Sequence, residues 1–75
     1  MTEHDLRLAN RLRQWRAEKQ LTQADLARMA GVSRKTINTV ENGVFIPSVQ
    51  LALVLARTLE TNVEALFELV PAKEQ

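Results

Sequence analysis

The hydrophobic positions of this 75-residue chain recur mainly at the three- and four-residue spacings of amphipathic α-helices. In the first segment, Leu8, Leu12 and Trp15 would share one buried stripe of a helix that runs from about Asp5 to Lys19. We assign Trp15 to packing on that stripe. No strand is predicted, and no internal repeat or low-complexity stretch appears. The pattern therefore predicts a single all-α domain of five helices.

A second helix is predicted to start at Gln23. Thr22 supplies a hydroxyl N-cap, and Asp25 stands three residues further on, where a capping box has its acidic or amide partner. Gly31 stands where a helix C-terminus favours a residue with positive φ. The apolar face of this short helix is narrow and consists of Leu26, Ala27, Met29 and Ala30.

The third predicted helix is capped by Ser33 and ends in a turn at Asn42-Gly43. Ile37 and Val40, three residues apart, would point inward. The opposite face is polar and largely cationic, and it carries Arg34, Lys35, Asn38 and Thr39.

Two further helices complete the prediction. The fourth, capped by Ser48, is apolar on nearly all sides and is expected to be the central buried helix. The fifth, capped by Asn62, is expected to carry Val63, Leu66 and Phe67, to reach Leu69 at most, and to stop before Pro71.

Composition narrows the classes of function. The chain has no cysteine, and its single histidine leaves no plausible metal-ligand set. Neither a membrane span nor a signal peptide is predicted, so we expect a soluble protein of the cytoplasm. We find no nucleophile–base pair, paired carboxylates or phosphate-binding glycine loop, and therefore expect neither an enzyme nor a bound cofactor or small-molecule ligand.

Charge is distributed unevenly although the net charge is only +1. Residues 1–40 carry eight Arg or Lys against four Asp or Glu, which gives +4, and residues 41–75 carry two against five, which gives −3. The first half could therefore face a polyanion. Charge alone equally fits solvated helix faces.

The segment from Thr22 to Asn42 favours a nucleic-acid site. Two short helices are joined by a turn of about three residues, and Ala27 is small where one helix must cross closely over the other. The third helix would pack against the domain with one face and leave its opposite face exposed. Such a helix can enter the major groove of B-DNA, which is about 12 Å wide.

The same segment, with TQADLA at 22–27 and GVSRKTINTVENG at 31–43, resembles the phage repressor/Cro-like (Xre) family of helix-turn-helix regulators. The similarity extends to LRQWR at 12–16 and to the PS and LF pairs of the last two helices, so it covers about residues 6–68, with polar tails on either side. It implies a lambda-repressor-like domain in which helices 2 and 3 form the helix-turn-helix.

The resemblance also implies residue roles. Contacts to DNA bases are expected from Arg34, Lys35, Asn38 and Thr39. Contacts to DNA phosphates are expected from Thr22, Gln23, Thr36 and Asn42. Taken one at a time, each of these side chains fits a solvated surface position better than a DNA contact; within the motif, the DNA contact is favoured.

Two features of the family bear on the framework. Relatives pair an Arg on helix 1 with the Glu before Asn42-Gly43, which implies a partly buried ion pair between Arg16 and Glu41. Relatives commonly have Gly between helices 4 and 5, where this chain has Glu60. The turn there is therefore expected to hold either a left-handed residue or a different conformation.

The function implied is a sequence-specific transcriptional regulator, most simply a repressor that binds a palindrome as a homodimer, because one small module reads few base pairs. Candidates for the dimer surface are Phe45, Ile46, Leu66, Leu69 and Val70, and Phe67 fits the core equally well. The alternative is an adaptor or antitoxin that keeps the fold but acts through a protein partner. Repression and activation use the same docking and are not distinguished.

Overall fold

A computed structural model describes residues 5–72. The elements in chain order are β1 (Leu6–Asn10), α1 (Leu12–Glu18), α2 (Gln23–Ala30), α3 (Arg34–Glu41), α4 (Val49–Thr58), α5 (Val63–Leu66) and β2 (Phe67–Pro71). The helices in this part of the chain have ten residues or fewer, too few to cross a membrane.

One hydrophobic cluster connects the helices. Its fully buried members, each 0% exposed, are Leu12, Leu26, Ile37, Leu55, Leu59 and Leu66. Phe67 is also in the core at 7% exposure, while Leu8 and Trp15 pack against its rim. The packing role predicted for Trp15 is therefore correct.

The prediction of an all-α domain is wrong in one respect, because β1 and β2 form a two-stranded antiparallel sheet. Leu8 lies opposite Leu69, so Leu8 belongs to a strand and not to the first helix. Asn10 separates strand from helix: its Oδ1 accepts a hydrogen bond from the N–H of Leu12 at 3.0 Å. Its Nδ2 donates to the carbonyl of Val40 at 3.0 Å, which ties the junction to the end of α3.

The N-termini of four helices have the side-chain caps that the sequence predicts. These caps are Thr22, Ser33, Ser48 and Asn62. At α2 the capping box is complete, since the Thr22 hydroxyl accepts from the N–H of Asp25 at 2.9 Å and the N–H of Thr22 donates to Asp25 Oδ2 at 2.9 Å. These bonds, together with Arg28, lower the pKa of Asp25 below its usual value.

Four helices end with a left-handed residue followed by a Schellman-type bond from the next N–H back to the last turn. Gly31 and Gly43 adopt this conformation without cost. Gln20 and Glu60 adopt it with φ values of 59° and 61°. Of the two expected outcomes, the turn after α4 therefore holds a left-handed residue, and Lys19 Nζ contacts Glu60 Oε1 there at 2.7 Å.

Candidate nucleic-acid interface

The α2–α3 pair forms a helix-turn-helix with a short turn at residues 31–33. Ala27 is 4% exposed in this crossing, and the inner side of α3 is sealed by Ile37 at 0% and Val40 at 1%. Because these positions are small or apolar and fully packed, the inner face of α3 is fixed against the core. Its other face is left for solvent or a ligand.

The predicted base-contacting residues share this outer face. Arg34, Lys35 and Asn38 are exposed, and Thr39 is half-buried. Within residues 5–72 the Lys35 side chain has no hydrogen-bond or ion-pair partner. The Thr39 hydroxyl, in contrast, has partners in its own helix: it donates to the carbonyls of Lys35 and Thr36, both at 3.0 Å. Among residues 5–72, Lys35 is therefore the cation of this face that has no partner and can bind an incoming ligand.

Gln23, the first residue of α2, connects the two helices through its amide. Its Nε2 donates to Glu41 Oε1 at 3.0 Å and to Asn38 Oδ1 at 3.3 Å. Its Oε1 accepts from Arg34 Nη1 at 3.4 Å. Asn42 Nδ2 donates to the same Asn38 oxygen at 3.1 Å. The structure thus brings together two predicted base contacts and two predicted phosphate contacts.

Glu41 is the centre of this network. Its side chain is 0% exposed, and its Oε2 accepts from Arg16 Nε at 2.6 Å, so the ion pair implied by the family resemblance is present. Arg16 also donates to the carbonyl of Leu21 at 2.8 Å. Burial raises the pKa of Glu41, but hydrogen bonds from Arg16 and Gln23 outweigh burial, and the net pKa lies below its usual value.

Arg13 is a member of the network that the sequence analysis did not single out. Its Nε contacts Glu41 Oε1 at 3.4 Å and its Nη2 donates to Asn42 Oδ1 at 3.1 Å, while its side chain stays 61% exposed. The available signal was its spacing of three from Arg16, which places both guanidinium groups on neighbouring faces of α1. The cationic surface thereby extends from α3 onto α1.

The remaining predicted phosphate contacts lie at helix starts. Thr22 is the exposed N-cap of α2, beside Gln23. Thr36 lies on the first turn of α3, where its hydroxyl is 3.0 Å from that of Ser33. The structure therefore places Thr36 with Ser33, apart from the network around Gln23.

The candidate dimer residues do not all reach the surface. Leu66 is 0% exposed, so its assignment to a dimer surface is wrong: it fills the core between α5 and the other helices. Ile46 and Leu69 are 70% and 63% exposed, and Phe45 is 47% exposed. Val70 is half-buried.

The fold and this surface define a helix-turn-helix domain of the DNA-binding class. Residues 12–66 match the model of the helix-turn-helix family HTH_3. The chain belongs to this family of DNA-binding transcriptional regulators.

Named relatives agree with this assignment. The chain is 42% identical over 60 residues to an uncharacterised helix-turn-helix-type transcriptional regulator of Methanocaldococcus jannaschii, covering 80% of this chain and 91% of the relative. Among solved structures it is similar to the restriction-modification controller protein C.AhdI from Aeromonas hydrophila, with a TM-score of 0.70, 34% identity, and coverage of 73% and 80%. It is also similar to the biofilm master regulator SinR in complex with DNA, with a TM-score of 0.68, 29% identity, and coverage of 72% and 87%.

Proposed function

We propose that this protein is a sequence-specific regulator that places α3 in the major groove of double-stranded DNA. The observation that carries the proposal is the contrast between the two sides of α3. Ile37 and Val40 are fully packed behind, while Arg34 and Lys35 stand exposed at the helix start. A recognition helix contacts base edges with the side chains near its N-terminus.

The base that each side chain of α3 can contact follows from its hydrogen-bonding and apolar groups. Arg34 and Lys35 can each donate to the O6 and N7 acceptors of guanine. Asn38 can pair with adenine. The hydroxyl hydrogen of Thr39 is committed to its own helix, so Thr39 contributes its methyl group, which suits the methyl group of thymine.

The start of α2 is proposed to hold the DNA backbone. The capping box leaves the N–H groups of Gln23 and Ala24 without a partner among residues 5–72, and these groups with the helix dipole favour a phosphate there. Thr22 and Gln23 supply polar side chains at the same end. Asn42 and Arg13 lie across the network from Gln23 and would bind the same strand, and Thr36 is proposed to reach a phosphate from α3. Arg13 adds a positive charge that the expected set lacked.

The protein is proposed to act in the cytoplasm as a homodimeric repressor on a twofold-symmetric operator. A domain of this size reads too few base pairs alone, and two copies would place their recognition helices about 34 Å apart, in successive major grooves. The relative SinR has been solved in complex with DNA, which supports DNA as the ligand of this domain.

Selection of bound sequences from random duplex DNA tests the proposal. We expect the unmutated protein to enrich one motif with an internal twofold repeat. Enrichment of a single half-site would contradict the dimer. Recovery of no motif would overturn sequence-specific recognition.

A further inference from the structure

Within residues 5–72, the outer edge of β1 has unpaired backbone groups along its whole length. In antiparallel strands, alternate residues direct their backbone groups to the partner strand and away from it. The N–H of Ala72 donates to the Asp5 carbonyl at 2.7 Å, and the N–H of Arg11 donates to the Leu66 carbonyl at 2.8 Å. The register between these two bonds directs the N–H and C=O groups of Leu6, Leu8 and Asn10 outward.

No backbone group within residues 5–72 pairs with this outer edge of β1. The outer edge of β2 is different. Pro71 has no N–H, and the N–H of Phe67 donates to the Val63 carbonyl at the end of α5. Only Leu69 keeps an outward N–H on that side. Proline and backbone bonds to a helix are common protections of an edge strand. β1 contains no proline, and within residues 5–72 its outward N–H and C=O groups make no bond to a helix, although the Asn10 side chain contacts the end of α3.

Apolar side chains surround the open edge. Leu8 is paired with Leu69, which is 63% exposed. Phe45 and Ile46 line a small cleft together with Leu8, and they are 47% and 70% exposed. An unpaired strand edge bordered by exposed hydrophobic side chains is a template for another strand.

We propose that the occupant of this edge is β1 of a second copy, paired antiparallel so that the two sheets form one sheet in the order β2-β1-β1-β2. This inference rests on the proposed function, because it assigns the surface of the homodimer. An antiparallel pair of identical strands is twofold symmetric, as a palindromic operator requires.

The side chains select a register centred on Leu8. In this register Leu8 lies opposite Leu8 of the second copy, so the row across the four strands reads Leu69, Leu8, Leu8, Leu69. Arg7 then lies opposite Ala9 of the second copy, whose neighbour is Glu68. Glu68 already pairs with Arg11 of its own chain, and the small alanine lets the Arg7 guanidinium approach the same carboxylate as a second cation. A slip of two residues, which keeps the same backbone groups facing each other, would instead place Arg7 against Arg7, which is unfavourable.

Two N-methylated proteins made by total chemical synthesis test the edge directly. N-methylation of Leu8 removes its outward N–H and blocks the β1 edge, while the bonds between β1 and β2 remain. N-methylation of Leu69 does the same to the β2 edge and is the matched control. Sedimentation analysis should show that methylation of Leu8 raises the dimer dissociation constant at least about tenfold, and that methylation of Leu69 leaves it unchanged. Circular dichroism establishes that both proteins are folded.

A larger effect of Leu69 methylation, equal effects of the two, or a protein that is monomeric before modification would each overturn the proposal. A recombinant pair gives the same answer: Leu6→Pro removes an outward N–H, and Leu6→Ala keeps it while losing the side chain. Dimer weakening in Leu6→Pro well beyond Leu6→Ala supports the edge, and equal weakening contradicts it. Sedimentation is measured without DNA. Its result on the dimer surface is therefore independent of the sequence selection, which tests DNA recognition.

Discussion

Nε2 of Gln23 lies 3.0 Å from Oε1 of Glu41, so the first residue of α2 is hydrogen-bonded to the last residue of α3. The same carboxylate accepts from Arg16 of α1. One buried group thereby fixes three helices relative to one another. The residues proposed to contact phosphates and bases consequently share one rigid frame.

Loss of this carboxylate should destabilise the fold. Glu41→Ala leaves the Arg16 guanidinium, which is only 16% exposed, without its carboxylate partner. Removal of one partner of a buried pair costs about 3–5 kcal/mol of folding free energy. Urea denaturation measures the change in the free energy of unfolding. Glu68→Ala is the control, since its pair with Arg11 is half-exposed and should contribute at most about 1 kcal/mol. Equal losses in the two variants would refute a central role for Glu41.

Stability should fall in acid through Glu41. The pKa of Glu41 in the folded protein lies below its ordinary value of 4.5, so the unfolded chain takes up a proton at a higher pH than the folded one. The stabilisation is therefore complete above the unfolded pKa and is lost as pH falls through the folded pKa. Urea unfolding across this range should show a shallower pH dependence in Glu41→Gln than in the unmutated protein. Parallel curves would rule out Glu41 as a source of acid sensitivity.

Lys35 and Gln23 should affect DNA binding differently. Lys35→Ala is expected to relax base preference at one position of the selected motif by about 1–3 kcal/mol, because Lys35 is exposed and unpaired within the described chain. Gln23→Ala should weaken binding about equally for all sequences. Competition binding with the selected motif and its single-base variants measures both effects. Gln14→Ala, which alters an exposed glutamine of α1, is the control and should change neither. A uniform loss in Lys35→Ala would reassign Lys35 to a phosphate.

Glycine at the left-handed turns should reveal their strain. Gln20→Gly relieves a φ of 59° at an exposed position and is expected to raise stability by up to about 1 kcal/mol. Glu60→Gly relieves a similar φ but removes the contact with Lys19, so its gain should be smaller. Thermal and urea unfolding of both variants provide the comparison. Destabilisation by Gln20→Gly would show that the turn is unstrained.

Local chemistry was sufficient to predict much of this protein. Helix caps such as Thr22 and Ser33 act within three residues, so their roles can be read directly from the chain. The apolar spacing of Ile37 and Val40 likewise predicts which face of α3 is buried. The helix-turn-helix and the exposed position of Lys35 follow from such short-range patterns.

Tertiary structure alone decided the ends of the domain and the details of the network. Leu8 can satisfy a helical spacing with Leu12, but it lies in a strand whose partner strand is about sixty residues away, and a helical pattern carries no information about such a partner. The burial of Leu66 and the bond from Gln23 to Glu41 likewise depend on contacts distant in sequence. By itself, the sequence determined the four capped helices and which helix carries the candidate DNA-binding face. The fold decided how the two ends of the chain meet and which strand edge is left open, because both depend on packing between residues far apart in the chain.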